Sequence, residues 1–372
     1  MKKTRKYLYP EEAKLLGITP RPNEEGRNQA RYMLDPIQYQ KLEESRNQGI
    51  LEAHKEHGVN PENSKFLWLK NKNSSIPVQN PFFVEKSQQE KFQAFLDGLK
   101  DQLKPTEPTK LKTKGNKNLC NQYTLTDYHL GMMAWHEETG DDWDLSIAED
   151  VLIKFFKAGI KTSPKADECI FAQIGDFLHW DGFEALTPAN RHILDADTRF
   201  PKLVRTAIRV IRQIISELLK KYKKVTIIMA EGNHDPASSV WLREMLAAFY
   251  ENEARVNVDT NPDPYYCYTF GKNCLFYHHG HKKTIKTVES AFVGKFKKEF
   301  GKSDFVYGHL GHLHHLQKES NLMVLEQHRT LASKDAYASR GGYLSGRDSK
   351  VITYHKKYGE VGRQTISIEM LK

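Results

Sequence analysis

Long apolar runs and clustered cysteines are both missing from this 372-residue sequence. It contains no stretch of about 18 apolar residues, so it predicts no membrane-spanning helix. The basic N-terminus is not followed by the apolar segment that a secretory signal carries. The four cysteines, Cys120, Cys169, Cys267 and Cys274, lack the Cys-x-x-Cys spacing of metal sites. We therefore expect reduced thiols in a cytoplasmic protein that does not bind membranes.

Acidic residues are sparse relative to basic ones in the N-terminal third of the chain. Residues 1–118 contain 22 Lys and Arg against 15 Asp and Glu, whereas the remainder contains 34 against 32. The net charge of +9 therefore comes mostly from this third. A basic segment beside a nearly neutral one predicts an anionic partner, with nucleic acid first. A surface that only increases solubility would have the same composition.

A change in composition divides the chain into a small basic N-terminal module at residues 1–100 and a larger domain at residues 119–372. Between them, residues 101–118 are rich in Lys, Thr and Pro and have the composition of a linker. The larger domain alternates predicted strands with predicted helices, which indicates an α/β layer architecture. The strands are expected at 123–126, 169–174, 225–230, 265–270, 274–277 and 305–307, and the helices at 145–158, 201–224, 239–252 and 287–300; the last 50 residues are expected to be β.

Within the N-terminal module, the pattern predicts a short helix that ends at Gly17 and a helical stretch at 24–45 that is broken at Pro36. Residues 66–70 and 75–83 are expected to be extended. Two helices separated by a turn in a basic segment are compatible with a small DNA-binding module. An interaction arm or a cover over the second domain fits the pattern equally well.

Polar side chains that can bind metals follow the ends of five predicted strands. In open α/β sheets, ligands bind outside the carboxyl ends of strands, so we expect these side chains to meet. Glycines directly precede three of the segments and would let the chain turn sharply there. The metal-competent residues are Asp127, His129, Asp176, Asn233, His279, His312 and His314.

These residue types suit a pair of divalent cations. Two cations about 3.5–4 Å apart can clamp a phosphate and hold a hydroxide between them. Such a pair needs a bridging carboxylate, for which Asp176 is suited, together with neutral nitrogen and oxygen ligands. Asp127 and His129 lie two residues apart, so in an extended segment both side chains would point the same way and reach one ion. His312 and His314 have the same spacing.

The ordered set Asp-x-His, Gly-Asp, Gly-Asn-His-Asp, His-Gly-His and Gly-His-x-His, spanning residues 127–314, resembles the calcineurin-like metallophosphoesterase family. The resemblance implies a four-layered α-β-β-α sandwich. It also implies that His234 donates a proton to the leaving group or stabilises the transition state. One metal would be held by Asp127, His129, Asp176 and His314, and the other by Asp176, Asn233, His279 and His312.

His179, three residues after Asp176, separates branches of that family. The similar Ser/Thr protein phosphatases carry Asp at this position, whereas Gly-Asp-x-x-His resembles the double-strand-break-repair nuclease branch. By that likeness His179 would assist His234 as a general acid, and Mn²⁺ would be the activating ion. The nitrogen and oxygen ligands would also accept Zn, Fe, Co or Ni. Because the chain lacks a Gly-x-x-x-x-Gly-Lys-Ser/Thr loop, any ATPase would be a separate protein partner.

The expected function is that of a metal-dependent phosphoesterase, most specifically a phosphodiesterase or nuclease acting on DNA or RNA. Two alternatives stay open on the sequence alone. One is a phosphomonoesterase acting on a phosphoprotein, nucleotide or metabolite. The other is a nucleic-acid-binding protein without catalytic activity.

Several further polar residues neighbour the predicted site. Arg191 and Arg199 belong to a long polar segment at 180–200 and are candidates for substrate phosphate binding, with surface arginines as the alternative. Asp235 could orient His234 or act directly. The histidines that fit no ligand position of the family pattern are His278, His281, His309 and His315.

Overall fold

A computed structural model of the chain describes residues 3–20, 30–56, 66–70, 75–79 and 110–372. The chain divides into two compact units, Met1–Ala94 and Phe95–Lys372. The predicted boundaries of the linker at residues 101 and 118 stay predictions, although the first strand of the second unit already begins at Asn116.

The first unit contains two antiparallel strand pairs and two helices within its described residues. Strand β1 pairs with β2, and β3 pairs with β4. A small apolar core joins the β1–β2 pair to both helices through Leu8, Ala13, Leu34 and Leu42. The elements are β1 (Thr4–Leu8), α1 (Pro10–Leu15), β2 (Ala30–Leu34), α2 (Pro36–Glu56), β3 (Phe66–Lys70) and β4 (Ser75–Gln79).

The helix predicted at residues 24–45 is wrong over Ala30–Leu34, which form a strand. Burial alternates along this strand, with Tyr32 buried between the exposed Arg31 and Met33, and this period of two belongs to strands. Pro36 begins α2 instead of breaking it, because the first helical position needs no backbone N–H donor. A strand thus stands where the helix-turn-helix interpretation needed the first part of its second helix. Residues 24–29 and 80–83 lie outside the described residues.

The other helix and strands predicted in the first unit are confirmed where it is described. Helix α1 ends at Leu15, and Gly17 follows with a φ of 70°. Residues 66–70 and 75–79 are extended strands.

The second unit is built on two mixed sheets. In the six-stranded sheet, with order β15-β14-β5-β6-β7-β8, strands β5 to β8 are parallel. In the five-stranded sheet, with order β12-β13-β11-β10-β9, strands β10, β11 and β13 are parallel. The strands are β5 (Asn116–Leu125), β6 (Ala166–Ile174), β7 (Lys224–Ala230), β8 (Val256–Val258), β9 (Tyr266–Phe270), β10 (Asn273–Tyr277), β11 (Phe305–Leu310), β12 (Gln317–Ser320), β13 (Val324–Gln327), β14 (Asp348–His355) and β15 (Gly359–Ser367).

Helices cover the outer faces of both sheets. They are α3 (His136–Thr139), α4 (Leu145–Thr162), α5 (Phe200–Lys221), α6 (Pro236–Phe249), α7 (Val288–Lys295), α8 (Lys297–Gly301) and α9 (Ala336–Arg340), and a 3₁₀ turn follows β15 at Ile368–Met370. The helix predicted at 287–300 is two helices that meet at Phe296, whose ψ of 45° is not helical. Among the described residues, no helix has the length and apolar character needed to cross a membrane.

Three apolar cores define the layers. Alternate residues of β6 point to opposite faces, so that Phe171 packs in the core shared with α4 and α5. Ile170 and Ala172 lie instead in a second core, where the two sheets face each other. A third core lies between the five-stranded sheet and α7, around Phe276 and Phe292. The order helix, sheet, sheet, helix confirms the predicted α/β class and the four-layered sandwich.

Candidate metal centre

The predicted ligands converge at the carboxyl ends of strands from both sheets. Asp127 and His129 follow β5, Asp176 follows β6, and Asn233 follows β7. His279 follows β10, and His312 and His314 follow β11. Six of the seven fall into two groups whose ligand atoms lie within 4.8 Å of one another. The groups are Asp127, His129 and His314, and Asp176, His279 and His312.

The first group is centred on the buried carboxylate of Asp127. Its Oδ1 atom lies 3.1 Å from Nε2 of His314, and this nitrogen lies 3.4 Å from Nε2 of His129. The other carboxylate oxygen, Oδ2, accepts hydrogen bonds from the hydroxyl of Thr126 at 2.5 Å and from the backbone N–H of His312 at 2.9 Å. One oxygen is therefore fixed by the fold, while the other faces the imidazoles.

The second group is centred on Asp176 and adjoins the first. Oδ2 of Asp176 lies 3.0 Å from Nε2 of His279, which is also 3.1 Å from Oδ1 of Asn233 and 3.8 Å from Oδ1 of Asp127. Nδ1 of His279 donates to the carbonyl of Ile174 at 2.8 Å. This hydrogen bond leaves Nε2 as the ligand atom, an arrangement typical of metal-binding histidines.

The backbone at the ligands is strained. In the described part of the chain, six residues other than glycine have a positive φ, and five of them are predicted ligands. Conformations of this kind cost on the order of 1–3 kcal/mol each and concentrate at functional sites. The five are Asp127 (49°), His129 (48°), Asp176 (52°), His312 (75°) and His314 (54°).

The expectation that the Asp-x-His and His-x-His segments are extended is wrong. In both, the chain turns through left-handed residues, and main-chain hydrogen bonds hold the turn after β5. The N–H of Asp127 donates to the carbonyl of Gly175 at 3.0 Å, and the N–H of His129 donates to the carbonyl of Asp176 at 3.1 Å. The side chains therefore meet because neighbouring loops pair, and not because a strand alternates.

The glycines beside the ligands are needed for different reasons. Gly175 has a φ of 93°, as a sharp turn requires. Gly232 and Gly311 do not have a positive φ, and their role is space. A Cβ on Gly232 would lie 1.8 Å from Oδ1 of Asp176, and one on Gly311 would lie 2.5 Å from Oδ2 of Asp127. Both carboxylates thus pack directly against glycine backbone.

Charge in this cluster is balanced between carboxylates and imidazoles. Burial disfavours the charged form of both carboxylates, but the nearby His314 and His279 outweigh it and hold the pKa of Asp127 and Asp176 below the usual range. Burial likewise opposes the charge on His279, whereas the two carboxylates raise its pKa to about 10. Among the described residues, no Lys or Arg pairs with either carboxylate.

The donor set fits two divalent cations. Two buried carboxylates, four imidazoles and one amide oxygen lie together without a Lys or Arg partner in the described chain. Divalent cations would replace the protons that otherwise balance the carboxylates. Mixed nitrogen and oxygen donors suit Mn, Fe, Co, Ni and Zn, whereas Ca²⁺ prefers oxygen alone.

His179 and His234 lie next to the ligands. Nδ1 of His179 is 3.2 Å from Nδ1 of the ligand His129. The carbonyl of His179 accepts a hydrogen bond from Nδ1 of His234 at 2.8 Å, and the two rings stack with centroids 5.5 Å apart. His234 is also anchored through its N–H, which donates to Asp176 at 2.8 Å. His179 therefore contacts His234 by its carbonyl and ring face, and the ligand His129 by its ring nitrogen.

The neighbouring polar residues have other partners. His309 lies between His328 at 2.9 Å and the hydroxyl of Tyr354 at 3.0 Å. Both oxygens of Asp235 accept backbone hydrogen bonds, from Leu178 at 3.0 Å and Gly232 at 3.1 Å. Burial and the nearby Asp176 carboxylate raise the pKa of Asp235 to about 7. Its carboxyl group ties the loop after β6 to the loop after β7.

The other excluded histidines also find roles outside the ligand groups. His278 stacks on Tyr265 with ring centroids 4.4 Å apart, and its Nδ1 accepts the N–H of Gly280 at 3.0 Å. His281 stacks with His278, with centroids 5.7 Å apart. His315 is exposed and donates to the carbonyl of Leu313 at 3.0 Å.

The two candidate arginines are not brought into this cluster. Arg191 is exposed and forms an ion pair with Glu184 at 2.7 Å. Arg199 is exposed at the start of α5. Within the part of the chain that the structure describes, no hydrogen bond or ion pair joins either arginine to a ligand.

One residue that supports the site was not predicted from the sequence. The hydroxyl of Thr330 donates to the carbonyl of Asp127 at 2.6 Å and helps to hold the left-handed turn. Thr330 is 203 residues from Asp127 along the chain. No local pattern marks it, because its role depends on β13 and β5 ending at the same edge of the sandwich.

No protein-family model and no curated protein matches the chain. Among solved structures, a dimetal phosphatase from Danio rerio matches over 67% of this chain and 98% of its own, with 9% identity and a TM-score of 0.35. A 5′-nucleotidase precursor from Thermus thermophilus matches over 67% of this chain, with 9% identity and a TM-score of 0.32. A 5′-nucleotidase from Candida albicans matches over 72%, with 11% identity and a TM-score of 0.32. The chain spans 54% of the length of each nucleotidase, and its function is therefore inferred from its own side chains.

Proposed function

We propose that this chain is a metal-dependent phosphoesterase with two divalent cations at the sandwich edge. The observation that carries the proposal is the convergence of five predicted ligands in left-handed conformations, two of which are the buried carboxylates of Asp127 and Asp176. When bound, such cations would neutralise the negative charge on the phosphoryl oxygens and supply a nucleophile at neutral pH. Asp127, His129, Asp176 and His314 would hold one cation, and Asp176, Asn233, His279 and His312 the other.

His234 is the proposed general acid. Its Nδ1 is engaged by a carbonyl, which can only accept a hydrogen bond, so Nε2 is the atom that can give a proton to a leaving oxygen. Its N–H is fixed on a carboxylate oxygen of Asp176, which keeps the ring beside the metal ligands. His179 would act as a positioning residue for His234 and for the ligand His129.

The proposed substrate is a phosphodiester of DNA or RNA. Support comes from the basic excess of residues 1–118, which suits a polyanion, and from the Gly-Asp-x-x-His sequence at Asp176 and His179. Mn²⁺ is the proposed ion. The protein would act in the cytoplasm, and any ATP-dependent step would be supplied by a separate protein.

The decisive experiment is cleavage of end-labelled single- and double-stranded DNA and RNA by the full chain. Reactions contain Mn²⁺ or EDTA, and the Asp176→Asn variant runs beside the wild type. Bis(p-nitrophenyl) phosphate and p-nitrophenyl phosphate report diesterase and monoesterase activity. Mn²⁺-dependent cleavage that the variant lacks would support the nuclease proposal.

Two other results would redirect the assignment. Turnover of the monoester without nucleic-acid cleavage would indicate a phosphatase that uses the same centre. Metal-independent binding of nucleic acid, without turnover of any ester, would indicate a non-catalytic binding protein and overturn the proposal.

A further inference from the structure

A groove outside the two ligand groups adjoins the metal centre. It is a cavity of about 300 Å³ whose lining includes the predicted ligand His314 together with Lys334, Tyr343 and Leu344. A second cavity of about 360 Å³ continues it, because both are lined by His315, Lys334 and Leu344. A group bound in the first cavity would therefore lie beside an ester bound at the centre.

The groove is lined by one exposed aromatic ring, that of Tyr343. Tyr343 is 61% exposed, and its ring centroid lies 6.4 Å from that of Tyr337, a 74% exposed residue outside the lining of both cavities. The ring of Tyr343 rests against the backbone of Gly341, where a Cβ would lie 2.5 Å from the ring. The N–H of Tyr343 also donates to the carbonyl of Ala338 at 3.1 Å. The ring is thus held in place while much of it stays open, as a stacking surface requires.

The far end of the groove carries positive charge. Lys334 has no ion pair among the described residues, and Arg329, in the second cavity, pairs with Asp348 at 2.9 Å. A phosphate is a suitable partner for such a guanidinium and lysine pair.

We propose that the groove binds the nucleoside attached to the scissile phosphate, with its base stacked on Tyr343 and the next phosphate near Lys334 and Arg329. This inference rests on the proposed phosphoesterase function and names its substrate class, a nucleoside phosphate ester. Stacking accepts any base, so the groove selects for the presence of a base and not for its identity. A substrate without an aromatic group would leave the ring of Tyr343 uncovered.

The test compares kcat/KM for two diesters with the same leaving group, thymidine 5′-(p-nitrophenyl phosphate) and methyl p-nitrophenyl phosphate. Loss of one stacking contact corresponds to a roughly five- to hundredfold fall in the preference for the nucleoside ester. Tyr343→Ala is expected to show this fall, and Tyr343→Phe, which retains the ring, is expected to keep the preference. The matched control is Tyr358→Ala, which removes a 66% exposed tyrosine that stacks on His355. An unchanged preference in Tyr343→Ala would overturn the inference.

Two further experiments distinguish failure of the phosphoesterase proposal from failure of the groove proposal, and a bound strand from a free nucleotide. If Mn²⁺ supports hydrolysis of neither ester, the phosphoesterase proposal fails, and calorimetric binding of thymidine 5′-phosphate then tests the groove alone. If Tyr343→Ala binds thymidine 5′-phosphate at least fivefold more weakly than the wild type, the result would support nucleoside binding in the groove. Equal affinity would reject that proposal. Lys334→Gln should weaken binding of a thymidine dinucleotide more than that of the mononucleotide if the occupant is a strand. An equal effect on both would indicate a free nucleotide.

Discussion

A single methyl group added at Gly232 should disable the metal centre without replacing any ligand. The Cβ of Gly232→Ala would lie 1.8 Å from Oδ1 of Asp176 and 2.3 Å from its backbone nitrogen. Because one of these atoms belongs to the backbone, a side-chain rotation alone cannot relieve the overlap. Overpacking of this kind typically costs about 1–3 kcal/mol, and each kcal/mol lowers the thermal midpoint by about 2–4 °C in a domain near this size.

The chain offers a matched control in helix α7. A Cβ on Gly294 would meet nothing within 4 Å. Gly294→Ala should therefore be neutral or stabilising by up to about 1 kcal/mol, because alanine favours the helix. The two variants carry the same substitution, but only at Gly232 does the new methyl group overlap Asp176.

The assay is thermal unfolding followed by circular dichroism, with EDTA and with Mn²⁺. At a free concentration a hundred times its dissociation constant, a bound ion stabilises the fold by about 2.7 kcal/mol. Wild type and Gly294→Ala should show this upward shift of the midpoint, and Gly232→Ala should lose most of it together with esterase activity. If Gly232→Ala kept both the Mn²⁺ shift and the activity, the placement of the Asp176 carboxylate as a shared ligand would be wrong.

Three further predictions concern single side chains. Asp176→Asn should retain wild-type circular dichroism, bind less than two equivalents of metal by mass spectrometry and lose turnover; two retained equivalents would contradict its bridging role. His179→Ala should lose about 10–100-fold in metal affinity or in activity, because the His179 ring contacts the imidazole of the predicted ligand His129. A variant with both the metal affinity and the turnover of the wild type would contradict this role. Burial opposes the charge on Glu326, but His328 and Arg363, whose Nη1 atom lies 3.0 and 2.9 Å from the two carboxylate oxygens, hold its pKa at about 2. Its stabilising contribution is therefore full above about pH 4.5 and is lost as the pH falls towards 2. In urea unfolding, Glu326→Gln should therefore lower the free energy of unfolding at pH 7 and lower it less at pH 3.5. A difference from the wild type that does not change with pH would contradict the pairing of Glu326 with His328 and Arg363.

The convergence of the predicted ligands could be anticipated because each residue is marked by local sequence. Every one follows a strand end, and in Gly175–Asp176 the glycine marks the turn before the carboxylate. The α/β layers were likewise predictable, since the apolar run of strands such as β6, which is buried on both faces, and the apolar face of α5 are visible in short stretches of sequence. The convergence of the predicted ligands then follows from the rule that ligand-binding residues gather outside the carboxyl ends of parallel strands.

The predictions that were wrong concern features that are fixed by contacts between residues distant in sequence. Ala30–Leu34 pairs with Thr4–Leu8, from which helix α1 separates it along the chain, and the pairing outweighs the helical pattern of the residues that follow. The turn at Asp127 is held by Gly175 and Thr330, which a local reading of the Asp-x-His segment does not include. The groove was equally hidden, because Tyr343 approaches His314 only through the path of the loop before β14.

The strain at the ligands argues against a purely structural role for the cluster. Left-handed conformations at Asp127, His129 and Asp176 each cost on the order of 1–3 kcal/mol, and the side chains they place are polar and buried, so no apolar packing offsets the cost. Native domains are stable by only about 5–15 kcal/mol, and such an arrangement is therefore strongly unfavourable for the fold. What the arrangement does provide is ligand atoms held together before any ion arrives, which removes the ordering cost from binding. A centre prepared in this way is what a two-cation phosphoesterase needs, and a core that served packing alone would be more stable with apolar residues in these places.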